Sequence, residues 1–190
     1  YSECHPQDFG KDGAPVDERW KSVRVLRSDE SILLEPGGAA ERRGSAGLEQ
    51  LLARPTADPS RVGAIGFCFG GTMVLELARS GAAVAATVGF HSGLQTSRPE
   101  DARQIQGSVL VCIGADDPMI SPESRAGFEA EMRAGEVDWR MNLYGGAVHS
   151  FTNRDASALG MPGIAYHEPT DRRSWAAMVE LFEERFEPRP

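Results

Sequence analysis

No stretch of this chain carries the roughly 20 consecutive apolar residues that a helix needs to cross a bilayer. No membrane partner is therefore expected. The first residues also lack the basic-then-apolar pattern of a secretory leader. Positive charge is in deficit: 20 Lys and Arg stand against 28 Asp and Glu, a formal net charge of −8. No basic patch stands out, which argues against a nucleic-acid partner. Cysteine is limited to Cys4, Cys68 and Cys112. They are unevenly spaced, so a disulfide framework is not expected and a reducing, cytoplasmic setting is the default. Cys4 and His5 are adjacent, but no two further ligands follow at a metal-binding spacing. Gly70-Gly71 is not followed by the Lys-Ser/Thr of a phosphate loop, so nothing indicates a nucleotide. Repeats and low-complexity tracts are absent. What remains is 190 residues, 41% of them hydrophobic. That suits a single domain over residues 1–190 with a real core.

Order is uneven along the chain. Residues 1–44 show weak periodicity and are dominated by Gly, Pro and charge, as in Glu35-Pro36-Gly37-Gly38. They read as an irregular N-terminal region, with one short element near Ser22 to Leu26. From Ser45 onward the pattern sharpens. Leu48, Leu51 and Leu52 have helix spacing, and Arg54-Pro55 ends that run. Strand-like runs at Arg61–Gly66, Ala83–Phe90, Ser108–Ile113 and Val137–Tyr144 then alternate with helix-like runs at Gly71–Arg79, Pro122–Ala134 and Arg172–Phe186. The last helix carries Trp175, Met178, Val179, Phe182 and Phe186 on one face. Such alternation predicts an α/β fold, a mostly parallel sheet with flanking helices.

The most informative segment is Gly66-Phe67-Cys68-Phe69-Gly70-Gly71. It lies between a strand-like and a helix-like run. A reactive residue with glycine two positions before and after it marks a nucleophile elbow, a strand-to-helix turn too tight for side chains at its flanks. The turn presents Cys68 and aims the backbone N–H of Phe69 at a developing oxyanion. The helix N-terminus favours a thiolate over a thiol. Ligands of a parallel sheet bind at the carboxyl ends of its strands. There the chain places Cys68, then Gly114-Ala115-Asp116-Asp117-Pro118, then Gly145-Gly146-Ala147-Val148-His149. A thiol, a carboxylate and an imidazole thus reach one sheet edge in the order nucleophile, acid, histidine. His149 would take the Cys68 proton and later protonate a leaving group. The acid would fix the imidazole tautomer. Asp116 and Asp117 compete for that place.

Gly-x-Cys-x-Gly-Gly, Gly-x-x-Asp and His149-Ser150-Phe151 together resemble the dienelactone hydrolase family, a branch of the α/β-hydrolase fold with a Cys-Asp-His triad. The resemblance covers residues 45–187, including Pro162-Gly163-Ile164-Ala165-Tyr166 and Asp171-Arg172-Arg173-Ser174-Trp175. It implies Cys68 as nucleophile, Asp117 as acid and His149 as base, acting on an ester, lactone or thioester with no metal or organic cofactor. Family members begin with several more strands, one of which leads to a second oxyanion N–H. Residues 1–44 do not read as those strands, and the chain opens on Tyr1 rather than Met. An N-terminally truncated α/β-hydrolase-like fold is therefore expected, with an exposed sheet edge that would favour a homodimer. Members that open dienelactone carry an Arg four residues after the histidine, where this chain has Asn153. Phe67, His91 and Asn153 are candidate substrate contacts, and Phe67, Phe69 and Phe90 suggest an apolar wall.

Other readings are open. The chain could be a non-catalytic α/β module that keeps the triad by ancestry, or a peroxide-sensing thiol protein. Cys68 could be a buried structural cysteine, His149 a loop histidine bonded to backbone, and Asp117 a turn or cap residue. Cys112 reads as an inert core thiol. Trp20 and Trp139 read as packing residues.

Overall fold

The computed structural model describes residues 39–186. Cys4, His5, Trp20 and the short element near Ser22 to Leu26 lie outside them, as do the other residues before Ala39. The described chain runs through helix α1 (Ala39–Leu52), strand β1 (Gly63–Phe67), helix α2 (Phe69–Arg79), strands β2 (Ala86–Phe90) and β3 (Ser108–Gly114), helix α3 (Pro122–Ala134), strand β4 (Trp139–Tyr144) and helix α4 (Glu168–Phe186). The strands form a four-stranded parallel sheet in the order β1-β2-β3-β4.

β3 shows why this sequence makes a sheet buried on both faces. Its run Ser108-Val109-Leu110-Val111-Cys112-Ile113-Gly114 is buried throughout. Side chains alternate across a strand, so a continuous apolar run needs cover on both sides. Leu110 and Cys112 join Ile65, Val88, Phe90, Met178, Leu181 and Phe182 under α4. Val109, Val111 and Ile113 join Leu75, Phe128 and Met132 under α2 and α3. Leu48 of α1 packs with Val62, Ala64, Val74 and Leu77. β4 is only partly covered, and Leu143 is exposed.

Local chemistry sets the boundaries. The Ser121 hydroxyl accepts the Ser124 N–H, and Pro122 takes the first turn of α3, so the helix starts where the pattern predicts. α4 begins four residues before the expected Arg172, because Pro169 falls in a first turn that needs no N–H from it. α1 begins at Ala39 rather than after Ser45. The segment Ala39-Ala40-Glu41-Arg42-Arg43 is made of strong helix formers, which outweigh the preceding glycines. β1 starts two residues late because Asp58 caps a 3-10 turn over Pro59–Arg61. β2 and β4 also start later than their apolar runs, at Ala86 and Trp139. Their lead-ins, including buried Val84, lie outside the ladder as irregular chain.

One buried charge pins the α2–α3 face. Arg79 is 1% exposed. Its guanidinium donates to both oxygens of Glu131 at 2.7 and 2.9 Å, to Glu76 at 2.7 Å and to the Leu94 carbonyl at 3.0 Å. α2, α3 and the segment after β2 are thereby tied together beneath the sheet.

Candidate active site

Each strand hands one polar residue to the carboxyl edge of the sheet. After β1 comes Cys68, with φ 53° and ψ −120°. A positive φ is costly for a residue with a Cβ and persists only where its surroundings impose it. Here the imposing element is the turn into α2. A Cβ on Gly66 would lie 2.1 Å from the Gly70 carbonyl oxygen, so only glycine fits there. A Cβ on Gly71 would lie 1.7 Å from Ser92 Oγ, which is what holds α2 close to β2. Gly70 differs: a Cβ there meets nothing within 4 Å. The expectation that both flanking glycines are sterically required is therefore corrected. The constrained positions are Gly66 and Gly71.

Cys68 is an exposed residue at the N-terminus of α2, which sets aside a buried structural cysteine. His149 Nε2 stands 3.1 Å from Cys68 Sγ, and His149 Nδ1 stands 2.8 Å from Asp117 Oδ2. The second Asp117 oxygen accepts the Met119 N–H at 2.8 Å. Asp117 and His149 are both buried. The three expected residues thus form one hydrogen-bonded chain. Asp116 takes a different place: its carboxylate is exposed and accepts the Gly146 N–H at 2.9 Å. Together with the bond from Asp116 N–H to the Ala147 carbonyl, it clips the acid loop to the histidine loop. His149 itself is held by the stretch Gly163 to Ala165, matched in the sequence without a role. Its N–H donates to the Gly163 carbonyl at 3.0 Å, and its carbonyl accepts the Ala165 N–H at 3.1 Å.

The electrostatics favour a charge-separated pair. The hydrogen bond from His149 lowers the Cys68 pKa; burial opposes it, while the His149 charge and the Phe69 backbone N–H add to the lowering. For His149, burial favours the neutral ring, but the bonds to Asp117 and Cys68 outweigh it and raise the pKa to about 9. Both shifts act in one direction: a lowered thiol beside a raised imidazole favours a thiolate next to an imidazolium. The other thiol behaves oppositely: burial pushes Cys112 up to about 12, in keeping with an inert core position.

The candidate substrate contacts separate. Phe67 is half-buried and stacks on Phe90 at 4.7 Å with planes 8° apart. Phe90 is fully buried within the α4 core, so it cannot line a pocket wall. Asn153 Oδ1 accepts the Asp155 N–H at 2.9 Å, closing its own turn and leaving its amide N–H groups. His91 is 2% exposed, and both of its ring nitrogens are engaged within the protein. It is not placed to touch a substrate. Among the described residues no group of three His, Cys, Asp or Glu side chains is arranged to hold a metal ion. No helix there is long and apolar enough to cross a membrane.

A family model for the dienelactone hydrolase family matches residues 17–186. The chain belongs to the dienelactone hydrolase family. An uncharacterized protein of Caenorhabditis elegans is 31% identical over 151 residues, covering 78% of this chain and 96% of that protein. Two solved structures are similar. One, named m3DLH, is 50% identical with a TM-score of 0.76. The other, a dienelactone hydrolase-like promiscuous phosphotriesterase from metagenomic libraries, is 48% identical with a TM-score of 0.73. Each match covers 78% of this chain and 62% of the solved chain, so the sequence spans less than two thirds of those relatives. Membership places the four-stranded sheet within an α/β-hydrolase fold.

Proposed function

We propose that this chain hydrolyses a carboxylic ester or lactone, or a related thioester, through a covalent acyl-enzyme on Cys68. The observation that carries the reading is the unbroken line from the exposed residue Cys68 through His149 to Asp117. In the resting site the proton sits on His149. The thiolate attacks the substrate carbonyl carbon, forming a C–S bond while the carbonyl electron pair moves to oxygen. The Phe69 N–H, which helps lower the Cys68 pKa and opens α2 just after the nucleophile, is the donor for that oxyanion. As the tetrahedral species collapses, His149 Nε2–H protonates the departing alkoxide. Neutral His149 then takes a proton from water, whose oxygen attacks the thioester. The C–S bond breaks, the carboxylic acid leaves, and thiolate and imidazolium are restored. Asp117 keeps Nδ1 protonated throughout, so Nε2 always faces the sulfur.

The substrate we propose is small and uncharged near its carbonyl. Asn153 occupies the place from which dienelactone-opening relatives grip a carboxylate with Arg, and an amide cannot supply that charge. A second reading is phosphotriester cleavage by the same thiolate. It is supported by the 48% identical phosphotriesterase-like structure.

The test is p-nitrophenolate release from p-nitrophenyl acetate, with Cys68→Ala and His149→Ala as blanks. A burst stoichiometric with protein, followed by turnover, is expected in the native chain and in neither variant. A p-nitrophenyl dialkyl phosphate run in parallel tests the second reading. Equal rates in native and both variants would end the thiol mechanism and leave a non-catalytic module.

A further inference from the structure

His91 follows β2 at the same sheet edge, yet the mechanism above does not use it. Its geometry is unusual for a residue without a chemical task. It is a non-glycine residue with φ 40°, and it is almost wholly buried. The Cys68 backbone N–H donates to His91 Nδ1 at 3.2 Å, in addition to its bond to the Phe90 carbonyl at 2.9 Å. Since Nδ1 must accept, the ring proton sits on Nε2. Nε2–H then donates to Thr152 Oγ1 at 2.9 Å. Thr152 lies three residues after His149. One imidazole therefore bridges the backbone of the nucleophile and the loop that carries the base. Its ring also stands edge-on to His149 at 5.1 Å and to Phe151 at 5.1 Å, with Phe67 at 6.1 Å.

We propose that His91 is a positioning residue of the thiol site: locked as the Nε2–H tautomer between Cys68 N–H and Thr152 Oγ1, it sets the spacing of the Cys68 sulfur from His149. The proposal rests on the reading of Cys68 and His149 as a reactive pair. Its physical basis is that both ends of the bridge are backbone-linked to the reacting side chains, while the ring itself is immobilised by aromatic neighbours. Protonating His91 would break the bridge, because the cation has no acceptor at Nδ1. The surroundings prevent this. Burial first, and then the His149 charge, hold the His91 pKa down to about 3. The ionisable side chain that faces the ring is His149, with Cys68 Sγ and Asp117 on the far sides of His149 and bonded to it. From β3 the Cys112 carbonyl accepts the His91 N–H at 2.8 Å. A neutral histidine beside an imidazolium keeps the packing of a ring without adding like charge.

The test uses iodoacetamide alkylation of Cys68 against pH, esterase assay and thermal melting on the same proteins. His91→Phe keeps an aromatic ring and removes both nitrogens. His91→Asn restores an acceptor near the Nδ1 position. Thr152→Val removes the far anchor and keeps the shape. For His91→Phe the alkylation inflection is expected to rise toward that of an ordinary thiol, with kcat/KM falling about 10- to 100-fold, the range for displacements near 1 Å. His91→Asn is expected to recover most of that loss. Thr152→Val should shift both readings in the same direction by a smaller factor. The His91 ring proton signals should not titrate between about pH 5 and 9. A folded His91→Phe with native inflection and native kcat/KM overturns the proposal. If that variant does not fold, an unchanged inflection in Thr152→Val overturns it instead. His91 titrating near the ordinary histidine value of about 6.5 also overturns it. A native chain that alkylates at low pH but never turns over ester ends the hydrolase reading alone, since the bridge is still read by alkylation.

Discussion

Substituting alanine at Gly66 and at Gly70 should have opposite effects, although both flank Cys68 in the same motif. At Gly66 the new Cβ would sit 2.1 Å from the Gly70 oxygen, 2.3 Å from its carbonyl carbon and 2.6 Å from Gly71 N. All three are backbone atoms, so no side chain can swing away. Tolerable contacts begin near 3.0 Å, so the elbow must open by about 0.9 Å, the difference of the two values. Overpacking of this kind costs about 1–3 kcal/mol. For a chain of this size that lowers the melting temperature by roughly 2–4 °C per kcal/mol. The displaced backbone carries Cys68, so the p-nitrophenyl acetate burst should also slow, by about 100-fold for a shift near 1 Å. At Gly70 nothing stands within 4 Å of the added Cβ, and the residue lies in the first turn of α2. Gly70→Ala should stabilise by up to about 1 kcal/mol through helix propensity. Its burst should stay within a few-fold of native. The paired measurement is a melt and a burst for each variant. A Gly66→Ala protein that melts and reacts like the native chain would refute the steric account of the elbow.

Asp117→Asn should lower kcat by about 10³- to 10⁴-fold, because the amide supports the wrong histidine tautomer. Asp116→Asn should change kcat by less than about 3-fold, since an amide oxygen can still accept the Gly146 N–H; steady-state rates of the two variants separate the roles. The Cys68 alkylation rate should fall as pH drops through the depressed thiol pKa, and in His149→Gln the inflection should move up toward 9.0. His149 has a raised folded pKa, so its contribution to stability is full below 6.5 and is lost as pH rises through about 9. Melts of native and His149→Gln should converge across that window; a constant difference would count against the ion pair. Arg79→Met should destabilise by about 3–5 kcal/mol, because Glu131 is left buried without its partner. Adding Glu131→Leu should recover much of the loss in a chemical denaturation series.

The thiol of this site was legible early because its signal is local. A tight strand-to-helix turn imposes its sterics within six residues, so Gly66 to Gly71 announce an elbow without reference to the rest of the chain. The alternating strands and helices were legible for the same reason, since apolar periodicity is written in windows of about ten residues. Boundaries slipped where capping or propensity competed with punctuation, as at Pro169 and at Ala39.

Contacts between residues far apart in the chain were beyond any local pattern. Spacing left Asp116 and Asp117 as rivals. The pairing of Gly114 with Tyr144 at the ends of β3 and β4 fixes how the two following loops meet, and it turns Asp117 to His149 and Asp116 to Gly146. Phe90 read as a wall residue and lies in the core, because β2 is covered on both faces. His91 read as a substrate contact and is a buried bridge, because Thr152 returns to it from 61 residues away. Which chemical groups arrive at the sheet edge, and in what order, is written in local motifs. The long-range register of four parallel strands decided which of them touch, since a shift of one residue turns a side chain to the opposite side.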